Sequence, residues 1–172
     1  ETPVDQWLAF AVSTPSPAGA LRVEALFLFL QPACDEGSAF VDDVSFFEFA
    51  PPTPPANLLA NPSFDTSLTG WSVFGNVLFE GRYWAYRTRA GCAKLYGPFA
   101  LPGDASGMYQ HLPAAAGTTY ELSVYSMSTC MENPITGSND NFVTAKIVFR
   151  DAAGVELGSN EVVIADNSMS LG

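Results

Sequence analysis

The sequence predicts an all-β protein: an antiparallel jelly-roll β-sandwich of two packed sheets. Three observations carry this. Runs rich in Val, Ile, Thr and aromatic residues recur between Pro, Gly, Asn and Asp clusters about 8–12 residues apart. Helical periodicity is nearly absent. Hydrophobic residues make up 48% of the 172, enough side chain to fill a core between two sheets.

The elements follow in order. Residues 6–13 (QWLAFAVS) read as a strand, turned by Pro15-Ser16-Pro17-Ala18-Gly19. Residues 20–31 (ALRVEALFLFLQ) are a long strand, nearly apolar in its second half and so expected to be buried there on both faces. After a loop at 34–38 comes the strand 39–49 (AFVDDVSFFEF). Pro51-Pro52-Thr53-Pro54-Pro55-Ala56 excludes a central strand or a helix interior, since proline fixes φ and lacks an N–H. It reads as an extended spacer of about 3.1 Å per residue. Beyond it, strands are expected at 58–64, 71–79, 83–89, 93–96, 108–112 and 119–128. In the strand 142–150, Val143, Ala145, Ile147 and Phe149 face one side, with Thr144, Lys146 and Arg150 on the other. Asp151-Ala152-Ala153-Gly154 then turns the chain into 155–157 and 161–164.

The spacer divides the chain into 1–50, 51–56 and 57–172. Fifty residues cannot bury the apolar load of the first three strands without staples. The longer segment ends on a hairpin with no closing strands. Residues 1–50 are therefore expected to complete the sandwich of 57–172, from the same chain or from a neighbouring one.

Eighteen Asp and Glu against seven Lys and Arg give a net charge of −11. That balance argues against nucleic acid and anionic membranes as partners, because both require basic patches. The longest apolar run, 25–30, is too short for a transmembrane segment. The opening Glu1-Thr2-Pro3-Val4-Asp5 is neither a charged n-region nor an apolar h-region, so any signal peptide has been removed or lies elsewhere. An acidic surface rich in Thr, Ser, Gly and Asn suits an extracellular or cell-surface protein, a holder of divalent cations, or plain solubility. Three cysteines allow one disulfide and one leftover thiol, and without a C-x-x-C pair a structural zinc site is not expected. If 119–128 pairs antiparallel with 39–49, Cys34 and Cys130 come together, and theirs is the favoured disulfide. Cys92 is then free or the alternative partner.

Trp84, Tyr83 and Tyr86, flanked by Arg82, are candidates for a sugar platform. Aromatic faces stack on pyranose C–H surfaces and a guanidinium bonds hydroxyls. The competing reading is cross-strand aromatic packing. Tyr109 and Gln110 are placed to reach a cleft, and Trp7 and Trp71 read as core. Asp42 falls in the register Phe40, Asp42, Val44, Phe46, and a carboxylate on an apolar face needs a cation or several donors. His111 is the only histidine, and no carboxylate pair reads as a glycosidase acid and base, so no enzyme is expected. Thr53 and Thr14 are candidate O-glycan acceptors or simply linker and turn residues. Asn61-Pro62-Ser63 is blocked as an N-glycosylation site by its proline.

The stretches Asn57-Leu58-Leu59-Ala60-Asn61-Pro62-Ser63-Phe64-Asp65, Gly70-Trp71, Ala93-Lys94-Leu95-Tyr96-Gly97, Gly107-Met108-Tyr109-Gln110-His111-Leu112, Ala116-Gly117-Thr118-Thr119-Tyr120-Glu121-Leu122-Ser123 and Phe149-Arg150-Asp151-Ala152-Ala153-Gly154 share a pattern. It resembles carbohydrate-binding modules of the families four, nine and twenty-two type, the galactose-binding-like jelly rolls. The closing motifs of such modules resemble Gln6-Trp7, Pro17-Ala18-Gly19-Ala20 and Phe40-Val41-Asp42-Asp43-Val44, which here stand at the start of the chain. The family order would be 57–172 followed by 1–50. The resemblance implies a sandwich fold, a sugar-binding ancestry with polysaccharide as partner, and a structural Ca²⁺ between first and last strands. Asp65 would join Asp42 or Asp43 around that ion.

The rotated order around a proline spacer suggests a non-enzymatic structural repeat or protomer of an extracellular fibre or surface array. Its partners would be copies of itself, joined head to tail, as tandem repeats, or by strand complementation. The alternative is a calcium-stabilised, lectin-like carbohydrate-binding module. A circular permutation, with the spacer joining natural ends, is compatible with either.

Overall fold

The computed structural model describes residues 2–3, 5–33, 35–49, 56–88, 90–97, 101, 103–167 and 169–170. Among them there is no helix. Ten strands form two five-stranded antiparallel sheets, the arrangement of a β-sandwich. The first sheet runs β11 (Glu156–Ala165), β10 (Phe142–Arg150), β3 (Arg22–Leu30), β8 (Ala105–Pro113), β5 (Ser72–Phe74). The second runs β2 (Leu8–Pro15), β9 (Thr119–Met127), β4 (Ser38–Glu48), β7 (Cys92–Tyr96), β6 (Val77–Glu80). A two-residue parallel pair, β1 (Thr2–Pro3) with β12 (Met169–Ser170), stands apart.

Strands from before the spacer occupy the centre of both sheets. β3 lies between β10 and β8, and β4 between β9 and β7. The expected pairing of 119–128 with 39–49 is present as β9 and β4, Phe40 opposite Met127 and Glu48 opposite Tyr120. Between the sheets, Phe46 stacks on Tyr120 with centroids 5.6 Å apart, and Tyr120 meets Phe149 at 5.8 Å. Trp71 lies in the core as expected, flanked by Phe27 at 5.8 Å and Phe64 at 5.4 Å. Its indole N–H donates to the Asn61 carbonyl at 3.1 Å, the partner a buried indole requires.

β4 carries an irregularity that the sequence pattern hides. Its register against β9 shifts between Asp42 and Ser45, and Asp43 takes a positive φ of 48°. One extra residue on one strand reverses the phase of everything after it. Ala39 and Val41 face the core before the bulge, and Val44 and Phe46 after it. The predicted register of Asp42 with Val44 and Phe46 is thus corrected. Asp42 shares the outer face with Phe40 instead.

Five other expectations change. Residues 58–64 are not a strand, since Asn61 and Phe64 adopt positive φ (47° and 49°). This segment runs along the edge of β4 through the Asn57 side chain. Asn57 Oδ1 accepts from Phe46 N at 3.0 Å and Leu59 N at 3.2 Å, and its Nδ2 donates to the Val44 carbonyl at 2.8 Å. Leu58 N donates to the Phe46 carbonyl at 2.7 Å. The run 71–79 breaks at Gly75 (φ 67°), where the chain crosses from β5 in one sheet to β6 in the other. A Cβ there would lie 2.2 Å from Ser106 Oγ. The described part of 83–89 is turn, while 155–157 and 161–164 are one continuous strand, β11. In β3, Phe27 and Phe29 are buried, but Leu26, Leu28 and Leu30 point to the outer face and are only half-buried.

Asn57→Ala should lower unfolding free energy by about 2–3 kcal/mol, because it removes three hydrogen bonds to main-chain groups along the β4 edge. Urea titration is the check, and exposed Thr66→Ala, in the same segment, should cost less than about 0.5 kcal/mol. Equal effects from the two variants would deny Asn57 its role.

Candidate functional site

A groove of about 470 Å³ opens on the outer face of the first sheet, lined by Arg22, Glu24, Leu26, Phe74, Tyr109, His111, Arg150 and Gly154. Register builds it. Glu24 is directly opposite His111 on β8, Leu26 opposite Tyr109, and Arg22 opposite Arg150 on β10. Glu24 is only 5% exposed. Its Oε2 lies 3.1 Å from His111 Nδ1 and 3.5 Å from Arg150 Nε. A carboxylate is an acceptor, so the imidazole hydrogen is assigned to Nδ1, leaving Nε2 for other partners.

The aromatic wall is built on a glycine. Gly107, on β8, faces Phe74 of β5 in register. A Cβ at Gly107 would lie 2.6 Å from Phe74 Cζ, so only glycine lets this ring lie across the sheet. Phe74 meets Tyr109 at 6.5 Å between centroids, and Tyr109 meets His111 edge-on at 4.8 Å. Phe74 is 40% exposed. The groove therefore combines the exposed Phe74 ring and the half-buried Tyr109 with a fixed carboxylate, an imidazole and guanidinium donors.

Of the residues expected at a sugar site, Tyr109 is in this groove. Gln110, its neighbour, points into the protein and both accepts from Ala60 N (3.0 Å) and donates to the Ala60 carbonyl (2.7 Å). Trp84 and Tyr86 pack instead on a small cluster of Phe40, Ala85, Cys92 and Met127 over the second sheet, which Trp7 also joins. Trp84 meets Phe40 edge-on at 5.9 Å, with the Arg82 guanidinium 5.6 Å above its ring. Tyr83 is 84% exposed. Arg82 and Lys94 both pair with Glu132, and the Lys94 hydrogen bond foremost holds that carboxyl below its usual range. Burial pushes the Cys92 thiol well up, and its Sγ lies 2.9 Å from the Ala85 carbonyl.

Cys34 and Thr53 lie outside the described residues, and with them the Cys34–Cys130 pairing and the spacer glycosylation. The Cys130 thiol donates to Asp5 Oδ2 at 2.9 Å, and that bond raises the thiol pKa and lowers the carboxyl's. Thr14 is half-buried in β2.

Asp42 and Asp43 grip the turn at 87–88. Asp42 Oδ2 accepts from the amides of Arg87 (2.9 Å) and Thr88 (3.2 Å), and its Oδ1 from the Asp43 amide (2.7 Å). Asp43 accepts from Thr88 Oγ1 and from Arg87 Nη1 at 2.6 Å. Arg87 also lies 3.5 Å over the Tyr125 ring. Of the two needs read for Asp42, a cation or several donors, the donors are present. A calcium ion held by Asp65 with Asp42 or Asp43 would have to compete with three amides at the one carboxylate, or with a hydroxyl and a guanidinium at the other. Asp65 is half-buried in the turn after Phe64, and among the described residues no three His, Cys, Asp or Glu side chains converge.

The role of the groove's polar members, Arg22, Glu24, His111 and Arg150, is absent from a linear reading. Arg22 and Glu24 do share their phase with Leu26, Leu28 and Leu30, a polar start to an apolar stripe. No protein-family model matches this chain, and no curated protein or solved structure does.

Burial raises Asp42 from 3.8 to about 6, its three amide bonds opposing the shift. The folded state then holds a proton that the unfolded state releases. The resulting stabilisation is full below pH 3.8 and is lost as pH rises through about 6. Across that window wild type should lose on the order of 2–3 kcal/mol relative to Asp42→Asn. Denaturant unfolding at stepped pH measures it, and parallel curves for the two proteins would exclude Asp42 as the titrating group.

Proposed function

We propose that this chain is a non-enzymatic, extracellular or cell-surface carbohydrate-binding module of jelly-roll connectivity, holding a glycan in the groove on the outer face of its first sheet. One observation carries the reading. An exposed ring, Phe74, and a half-buried one, Tyr109, line the groove beside polar groups held in place by one another, Glu24, His111 and Arg150. A pyranose has apolar C–H faces and a rim of hydroxyls. Stacking on Tyr109 and hydrogen bonds to Glu24 Oε1 and His111 Nε2 match that division.

Connectivity supports the jelly roll. Successive strands β2, β3, β4, β5 and β6 alternate between the sheets, as do β7, β8, β9 and β10. Pairing of β2, β3 and β4 with strands of the same chain supports closure within one molecule, and it weakens the motive for a fibre built by strand complementation. Glu24 is the only carboxylate among the lining residues, whereas glycoside hydrolysis generally employs two flanking the bond. That supports binding without cleavage.

Affinity electrophoresis over a panel of soluble polysaccharides, followed by calorimetry on the best oligosaccharide, tests the reading. Tyr109→Ala should weaken binding about tenfold or more, the worth of a lost stacking face. Trp84→Ala should leave it within about twofold, because Trp84 packs over the other sheet. Retardation by no polysaccharide would overturn the proposal.

A further inference from the structure

The groove holds an unusual arrangement of charge. Arg22 and Arg150 are directly opposite one another on neighbouring strands. Like charges in that position repel across a few ångströms, and sheets ordinarily avoid them. The chain has only seven Lys and Arg and a net charge of −11, so two guanidiniums meeting at one groove is not a consequence of composition. Glu24 answers only one of them. Its Oε2 is 3.5 Å from Arg150 Nε, and Arg150 Nη1 donates to the Gly154 carbonyl at 3.3 Å. Glu156, opposite Arg150 on β11, accepts from the Ser159 hydroxyl at 2.8 Å and adds a second negative charge on the Arg150 side, away from Arg22. The Arg22 side chain has no hydrogen bond or ion pair among the described residues and is exposed at the groove.

A planar guanidinium that is free, beside a second one already held, is a ready receptor for a planar anion. Arg matches a carboxylate with two parallel N–H donors, and the bond is charge-assisted at both ends. The aromatic wall stands on the same face, two rows along the strands. Arg22, Glu24 and Leu26 are successive outward residues of β3, and Leu26 is opposite Tyr109.

We propose that the groove selects an acidic glycan. The ring of a uronic acid residue stacks on Tyr109, and the carboxylate of that residue or the next one along the chain pairs with Arg22, relieving its repulsion with Arg150. The proposal rests on the reading of the groove as a glycan site and adds the substrate class to it.

Calorimetry with the intact chain separates the two claims. The probes are oligogalacturonate, its fully methyl-esterified form, a neutral xylo- or gluco-oligosaccharide of the same length, and sodium acetate. Esterification keeps the ring and removes the charge. The acid should bind about tenfold or more tighter than the ester at low salt, the difference shrinking as salt is raised. Arg22→Gln should bring acid and ester to within about twofold of each other, and Tyr109→Ala should weaken both. Arg22 is a surface residue, so the variant is expected to fold, and matching thermal unfolding confirms it. Equal affinity for acid and ester would overturn the acidic preference and leave the glycan reading standing. Binding of acetate as tightly as the uronate would overturn it too, as an adventitious ion only. Binding of none of the sugars would remove both.

Discussion

The second sheet depends on the phase change at Asp42–Asp43. β4 is a central strand eleven residues long. A regular strand beginning with Ala39 and Val41 inward would carry Ser45 and Phe47 to the core and expel Val44 and Phe46. The inserted residue corrects this at the cost of a positive φ at Asp43. The bulge then recruits its surroundings. Its carboxylates, turned outward, bind the amides and side chains of Arg87 and Thr88, which anchors the turn at 87–88 over the sheet. On its other edge, Val44 N donates to the Pro62 carbonyl at 2.8 Å and the Asn57 amide follows. One insertion thus fixes the core phase of a central strand, the cover of the outer face and the path of the chain after the spacer.

That insertion leaves no mark in the sequence. Phe40-Val41-Asp42-Asp43-Val44 alternates well enough to be read straight through. The strands themselves were legible, and 142–150 coincides with β10 at both ends, because its alternation is uninterrupted and its ends are turns. Segments 58–64 and 83–89 read as strands in the sequence for a common reason. Their aromatic residues suggest a pleated strand, yet Phe64 is held by Trp71, and Trp84 by Phe40, at tertiary contacts that no local period records. Tyr109 was legible as a cleft residue. Arg22, Glu24, His111 and Arg150 come from three strands spread over the chain, and only the register of β8, β3 and β10 brings them together.

Composition presented the proline spacer as a joint between two modules. The hydrogen bond from Leu58 N to the Phe46 carbonyl gives its flanks another character. The residues before and after it pair on one edge of one strand, so whatever lies between begins and ends at the same place. Closing a connection of this length costs little entropy, and prolines lower the cost further by restricting the unfolded chain. A rotated motif order and a proline-rich joint are therefore compatible with one closed sandwich.

The two outer faces of that sandwich are managed differently. Over the second sheet, Trp84, Tyr86 and Trp7 cover Phe40, Cys92 and Met127, and Lys94 is neutralised by Glu132. Over the first, Leu26 and Leu28 remain half-buried, Phe74 is exposed across Gly107, and two arginines face each other. Each of these three features is mildly unfavourable for the isolated fold: apolar surface in water, a glycine in a strand, and like charges in register. They lie together at and beside one groove, whereas the strands of the opposite sheet carry neither an interior glycine nor arginines in register. Local rules broken together at one place are the motive for the proposed reading, in which a bound glycan supplies the compensation. The same features name the complement: a ring for the aromatic wall, hydroxyls for Glu24 and His111, and negative charge for Arg22.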